Sequence, residues 1–218
     1  MIIGLIGMSG AGKSSWAERL AAAGFTWLHC DELIAARLRD QFDVGSGTVY
    51  DLGDWMGLPY EARYAERERI YLAHETAVLR TIADALAPDS PERATLQAGK
   101  QAGGAAHNWI IDMTGSAVYA DPLVLGRIRR LATIVYLAVS PQMHEQLVRQ
   151  YIANPRPVLW NGLYRPLPGE EQLAALARCY PLLLRERERL YMQLSHITLT
   201  DALHRDPAFD VRAFLRYV

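Results

Sequence analysis

The chain has 218 residues, half of them hydrophobic, which suits one globular domain of ordinary size with a full core. Its 23 basic and 24 acidic residues leave a net charge of -1, which argues against general nucleic-acid binding and against adhesion to an anionic membrane, so any basic site must be local. Two cysteines, Cys30 and Cys179, make neither a metal-ligand cluster nor a disulfide framework and are expected as reduced core residues. No basic segment precedes the first apolar run, and no apolar stretch approaches membrane-spanning length. The expectation is a cytoplasmic protein, monomer or homodimer, whose partner is a small molecule, not a nucleic acid or a membrane.

The apolar run Ile2, Ile3, Leu5, Ile6 reads as a short buried strand, and SSWAERLAAAG after it reads as a helix ending at Gly24. Between them stands GMSGAGKS, Gly7 to Ser14, which fits the phosphate-loop pattern of Gly, four free positions, Gly, Lys, then Ser or Thr. Gly7, Gly10 and Gly12 let the backbone turn its amides inward around a phosphate, and the helix N-terminus adds a favourable partial charge. Ser9, Ala11 and Ser15 complete the expected nucleotide cradle. Lys13 is expected on the β- and γ-phosphates, and the Ser14 hydroxyl as a Mg²⁺ ligand.

FTWLHC at 25–30 reads as a second strand that delivers Asp31 to its carboxyl end, ahead of the helix ELIAARLRDQF. Ligands of open α/β sheets sit beyond the carboxyl ends of the strands, so Asp31 is expected beside the phosphate loop, facing a substrate hydroxyl or the metal. The alternative is a plain helix N-cap. Residues 43–60, with four glycines and no clear periodicity, read as a ligand-binding loop. A long helix is expected from Glu61 to Leu86 on the spacing of Tyr64, Tyr71, Val78, Ile82 and Leu86, its arginines and glutamates mostly forming a solvated face.

Residues 87–108, rich in Pro, Gly and Ala, read as an exposed insert. WIIDMTGS at 109–116 then gives a strand ending at Asp112, and a strand-terminal Asp beside a phosphate loop is expected to hold Mg²⁺ directly or through water. The helix DPLVLGRIRRLA leads to a fourth strand, TIVYLAV, and Ser140-Pro141 caps the next helix. The segment 151–171, with four prolines, reads as a lid. Arg156 or Arg165 is expected to swing over the phosphates while the lid excludes water. Two helices divided by Pro181, a short strand HITL and a final helix after Pro207 close the chain. Strand alternating with helix throughout predicts an α/β three-layer sandwich on a parallel five-stranded sheet of the P-loop kinase type, with a mobile lid, no repeats and no second domain.

These residues resemble shikimate kinase and its relatives among small-molecule P-loop kinases, over most of the chain outside 87–108. GMSGAGKS is similar to that family's phosphate loop, and HCDELI resembles its Asp-x-Asp followed by a helix, with Asp31 on the Asp that meets the substrate hydroxyl. RERLYMQLSHI, beginning at Arg187, is similar to the family's Arg-x-Pro-Leu-Tyr run and implies that Arg187 binds a substrate carboxylate. Arg165-Pro166-Leu167 resembles the lid Arg-Pro-Leu.

The sequence also departs from the family. His29 replaces the first Asp of Asp-x-Asp, leaving the metal to Ser14 and Asp112. Thr114-Gly115-Ser116 replaces a three-glycine substrate motif, with Gly115 retained as a substrate contact. The second carboxylate-binding arginine falls on Ala65, with Arg63 and Arg67 nearby. What the resemblance implies is transfer of a phosphoryl group from ATP, with Mg²⁺, to a hydroxyl of a small anionic metabolite, Lys13, Asp31 and Arg165 being catalytic. Two further readings stand beside it. A nucleoside, nucleotide or dephospho-coenzyme A kinase would stack a base on Tyr50, Trp55, Tyr60 or Tyr64. A nucleotide-binding regulator would use ATP as a switch without an acceptor. A preference for GTP is also open.

Overall fold

The structure is a computed structural model that describes residues 1–39, 49–88, 90–91 and 108–218. Five parallel strands form one sheet in the order β2-β3-β1-β4-β5. They are β1 (Ile2–Ile6), β2 (Thr26–His29), β3 (Trp109–Asp112), β4 (Thr133–Leu137) and β5 (Ile197–Leu199). The central strand β1 is buried along its whole length. That is why its sequence is a continuous apolar run and not an alternating one: a parallel strand covered on both faces has no wet side.

The connections are helices. They are α1 (Lys13–Ala22), α2 (Cys30–Leu38), α3 (Val49–Met56), α4 (Tyr64–Ala85), α5 (Pro122–Leu131), α6 (Pro141–Ala153), α7 (Gln172–Leu194), α8 (Asp201–His204) and α9 (Val211–Tyr217). Ser140, read from the sequence as a cap, accepts from Met143, and Asp121 likewise accepts from the amides of Leu123 and Val124, each ahead of a proline at the first helical position.

Four expectations are corrected. First, Pro181 does not divide two helices, because α7 runs through it without a break. A proline removes one backbone donor and crowds the preceding turn. Here the buried residues Leu176, Cys179, Tyr180, Leu183, Leu184, Arg187 and Tyr191 hold both halves in one piece against the core.

Second, part of 43–60 is helical. Leu52 and Met56, one turn apart, bury their side chains and fix α3 despite Gly53 inside it. Third, β2 ends at His29, so Asp31 lies in the first turn of α2 and is not its cap. Fourth, α4 begins at Tyr64, three residues later than read. Residues 43–48 of the expected loop, 40–42 of the helix before it, and 89 and 92–107 of the expected insert lie outside the described residues.

Candidate active site

The loop between β1 and α1 is built as its glycines require. Gly7, Gly10 and Gly12 all take positive φ, at 149°, 80° and 92°. At Gly7 a side chain would also be stopped by space, since a Cβ there would stand 2.8 Å from the carbonyl oxygen of Leu137 on β4. Lys13 opens α1 and folds back over the loop, its Nζ donating to the carbonyls of Gly7 at 3.0 Å and Met8 at 3.1 Å. Ala11 is buried beneath the loop, while Ser9, Gly10, Ser14 and Ser15 face outward.

Beyond the carboxyl ends of the strands lies a cleft of about 300 Å³. Ser9 and Lys13 line it from the phosphate loop, Asp31 from α2, and Leu52, Gly53 and Met56 from α3. Tyr71 comes from α4, Thr114, Gly115 and Ser116 from the loop after β3, Pro157, Val158 and Leu159 from the segment after α6, and Arg187 from α7. Asp31 reaches the cleft although β2 is not a neighbour of β1. The strand between them, β3, ends on Asp112 in register with both Leu5 and His29, so all three carboxyl ends stop at one level. Asp112 is buried at that level.

Electrostatics in the cleft are those of charges crowded together out of water. Desolvation lowers the Lys13 ammonium from its ordinary range, against the pull of Asp112 and then Asp31. The Asp31 carboxyl is raised, first by desolvation, with Lys13 opposing and Asp112 adding. Although α2 leaves Asp31 open to solvent on its outer side, its carboxyl faces the crowded cleft, and the direction of its shift follows that side.

Arg187 is buried against the core side of the cleft. Its Nη2 donates to the Leu159 carbonyl at 2.7 Å, its guanidinium carbon lies 5.6 Å from the centre of the Tyr119 ring, and its Nε has no partner among the described residues. Gly115 sits beside it, and the Gly115 carbonyl accepts from Tyr191 Oη at 2.5 Å.

The segment expected as a lid has an ordered anchor. Trp160 is fully buried among Tyr151, Tyr164 and Tyr180. Glu68 Oε1 accepts from the amides of Trp160 at 2.6 Å and Asn161 at 2.9 Å and from Tyr64 Oη at 2.7 Å. The expected lid arginines are exposed and outside the cleft lining. Arg156 stands on the surface, and Arg165 Nε donates back to the Gly162 carbonyl at 2.9 Å. Arg63 is exposed at the N-terminal end of α4 and does not line the cleft either. His29 stacks on Trp27 with ring centres 3.5 Å apart, its Nδ1 3.7 Å from Glu32.

Lys13, Asp31, Gly115 and Arg187 are therefore brought together, with Asp112 behind them. Glu75 was passed over by the sequence reading, Tyr71 was read only as helix core, and Leu52, Gly53, Met56, Pro157, Val158 and Leu159 fall inside the expected loop and lid without having been singled out. Glu75 carried a signal, since it lies one turn after Tyr71 and one turn before Leu79 on the apolar stripe of α4, where a solvated glutamate does not belong.

No protein-family model matches the chain, and no curated protein matches it in sequence. Solved structures do match in fold. Shikimate kinase from Acinetobacter baumannii, in complex with shikimate, is 20% identical with a TM-score of 0.51, over 91% of this chain and 82% of that one. Shikimate kinases from Bacteroides thetaiotaomicron and Aquifex aeolicus are 16% and 15% identical, each with a TM-score of 0.54 over 99% of this chain and 95% and 94% of theirs.

Proposed function

We propose, from the fold that the chain shares with the shikimate kinases, that the protein transfers a phosphoryl group from ATP, with Mg²⁺, to a hydroxyl of a small anionic metabolite. The observation that carries this reading is one cleft lined at once by Lys13, Asp31 and Arg187, a phosphate-binding cation, a carboxylate and a buried guanidinium.

The residues present fit both groups. Three glycines at positive φ and the start of α1 make a cradle for phosphates, and Ser14 with Asp112 supplies the oxygen donors that suit Mg²⁺. When bound, the metal ion would offset charge on the transferring phosphoryl. Lys13 already points its ammonium at loop carbonyls, and a phosphate would replace them as its partner. Asp31 would orient the acceptor hydroxyl and take up its proton at a carboxylate oxygen, a task its raised affinity for protons favours. Arg187 would hold the acidic group of the acceptor from its place in the cleft lining. Segment 157–159 would keep water off the reacting phosphoryl.

Trp55, Tyr60 and Tyr64 do not line the cleft, so the reading as a nucleoside, nucleotide or dephospho-coenzyme A kinase draws no support from them. The test is ADP release with ATP and Mg²⁺ against a panel of shikimate, nucleosides, sugar acids and dephospho-coenzyme A, with Lys13→Ala as the blank. Stimulation by at least one anionic acceptor is expected. ADP release that ignores every acceptor would overturn the reading and favour a nucleotide switch.

A further inference from the structure

Behind the cleft wall formed by Thr114 and Ser116 lies Glu75, 1% exposed on the inner face of α4. Its Oε1 accepts from Thr114 Oγ1 and, at 2.9 Å, from Ser116 Oγ, and the two hydroxyl oxygens are 3.1 Å apart. Its Oε2 is buried with no partner among the described residues. A carboxylate is acceptor-only, so while Glu75 is ionised both hydroxyl protons point back at it. Thr114 Oγ1 also accepts from the Ser116 amide at 3.3 Å, so one lone pair on Thr114 and two on Ser116 are left for what meets them from the cleft side.

Tyr71 also lines the cleft and its hydroxyl interacts with both Ser116 and Thr114; its single proton can serve only one of the two oxygens, so the sense of the wall rests on Glu75.

We propose that Glu75 is a positioning residue that fixes the donor and acceptor sense of the Thr114–Ser116 wall. The cleft thereby selects an acceptor that presents a hydrogen-bond-donating group there, a hydroxyl or amine, over one that presents a carbonyl or ether. The proposal rests on the phosphotransfer reading for what the ligand is, and adds which end of it is read and by which residue.

Glu75 also makes the selection depend on pH. Burial pushes its carboxyl up to about 7 against the Thr114 and Ser116 hydrogen bonds, so below neutrality it takes a proton and can itself donate. One wall hydroxyl is then free to turn its proton into the cleft, and the preference for donors weakens. The other titratable or charged groups facing Glu75 are Asp31 and Cys30 from α2, Arg187 and Tyr191 from α7, and Tyr71 on its own helix. A non-titrating substitution at Glu75 separates its contribution from theirs.

The experiment is calorimetric binding at pH 8 and pH 6 of shikimate and of its ring ketone, oxidised at one hydroxyl, to the wild type, Glu75→Gln and the double variant Thr114→Val/Ser116→Ala. Affinity for an ATP analogue reports that each variant is folded. The wild type is expected to prefer the hydroxyl compound by about tenfold at pH 8 and by less at pH 6. Glu75→Gln should lose most of that preference and its pH dependence, and the double variant should lose the preference, while both keep nucleotide affinity. A preference unchanged in both variants overturns the proposal, as does a wild type that binds the two compounds equally or binds neither. Binding needs no turnover, so a preserved preference with no ADP release would sink the phosphotransfer reading alone.

Discussion

Arg187 Nη2 and the Leu159 carbonyl oxygen lie 2.7 Å apart, so the guanidinium on the cleft floor also holds the segment that roofs it. A charged hydrogen bond in a buried place is among the stronger single contacts a protein makes. The same arginine keeps an unpartnered Nε.

Arg187→Lys should weaken binding of an acidic acceptor by about tenfold to a hundredfold, because an ammonium cannot serve the Leu159 carbonyl and a ligand in one plane as a guanidinium does. Nucleotide affinity should be unchanged. Equal acceptor affinity in calorimetry would remove Arg187 from substrate binding.

The roof has a second fastening at Glu68, which collects three donors from Tyr64, Trp160 and Asn161. Glu68→Ala removes the carboxylate from two backbone amides, leaving Trp160 only Tyr64 Oη at 3.1 Å, and should cost about 1–3 kcal/mol of stability. Hydrogen exchange at Trp160 and Asn161 should speed up ahead of exchange in the sheet. If those amides exchange no faster than before, Glu68 is not what holds the roof.

The pH dependence of stability should carry the mark of Glu75. Burial pushes its carboxyl up to about 7 from the ordinary 4.5, so between these values the folded state binds more protons than the unfolded one. Stability therefore falls as pH rises through that window, by up to about 3 kcal/mol, and levels off above it. Asp31, also raised, adds in the same direction. Urea unfolding at several pH values should show Glu75→Gln gaining on the wild type from pH 5 to pH 8. Parallel curves for the two proteins would mean that Glu75 does not titrate there.

Gly7 cannot carry a side chain, since its φ of 149° disfavours one and the Leu137 carbonyl would stand 2.8 Å from the new atom. Gly7→Ala should cost about 1–3 kcal/mol and weaken nucleotide binding, the backbone of β4 being unable to yield as a side-chain tip can. An unchanged melting temperature and nucleotide affinity would contradict the packing of β1 on β4.

The phosphate loop, the order of strands and helices and the candidates Lys13, Asp31 and Asp112 were legible because each depends on neighbours in sequence, while Arg187 was reached only through the family resemblance of the run that it begins. A loop needs its glycines at fixed offsets, a buried parallel strand needs an unbroken apolar run, and a strand-end carboxylate follows that run directly. Pro181 misled because the local rule for proline says nothing of the core contacts on either side of it.

The cleft's walls were decided in three dimensions. Glu75 is one of several glutamates in a charged helix until α4 packs beneath the loop after β3 and takes the Thr114 and Ser116 hydroxyls, 39 and 41 positions away. Leu159 contributes only a backbone carbonyl, a group every residue has, and it matters because Arg187, 28 positions on, is buried against it. Sequence fixes which chemical groups exist and which short elements they ride on. Which of them lose their water together, and so come to depend on one another, is settled only when distant elements pack.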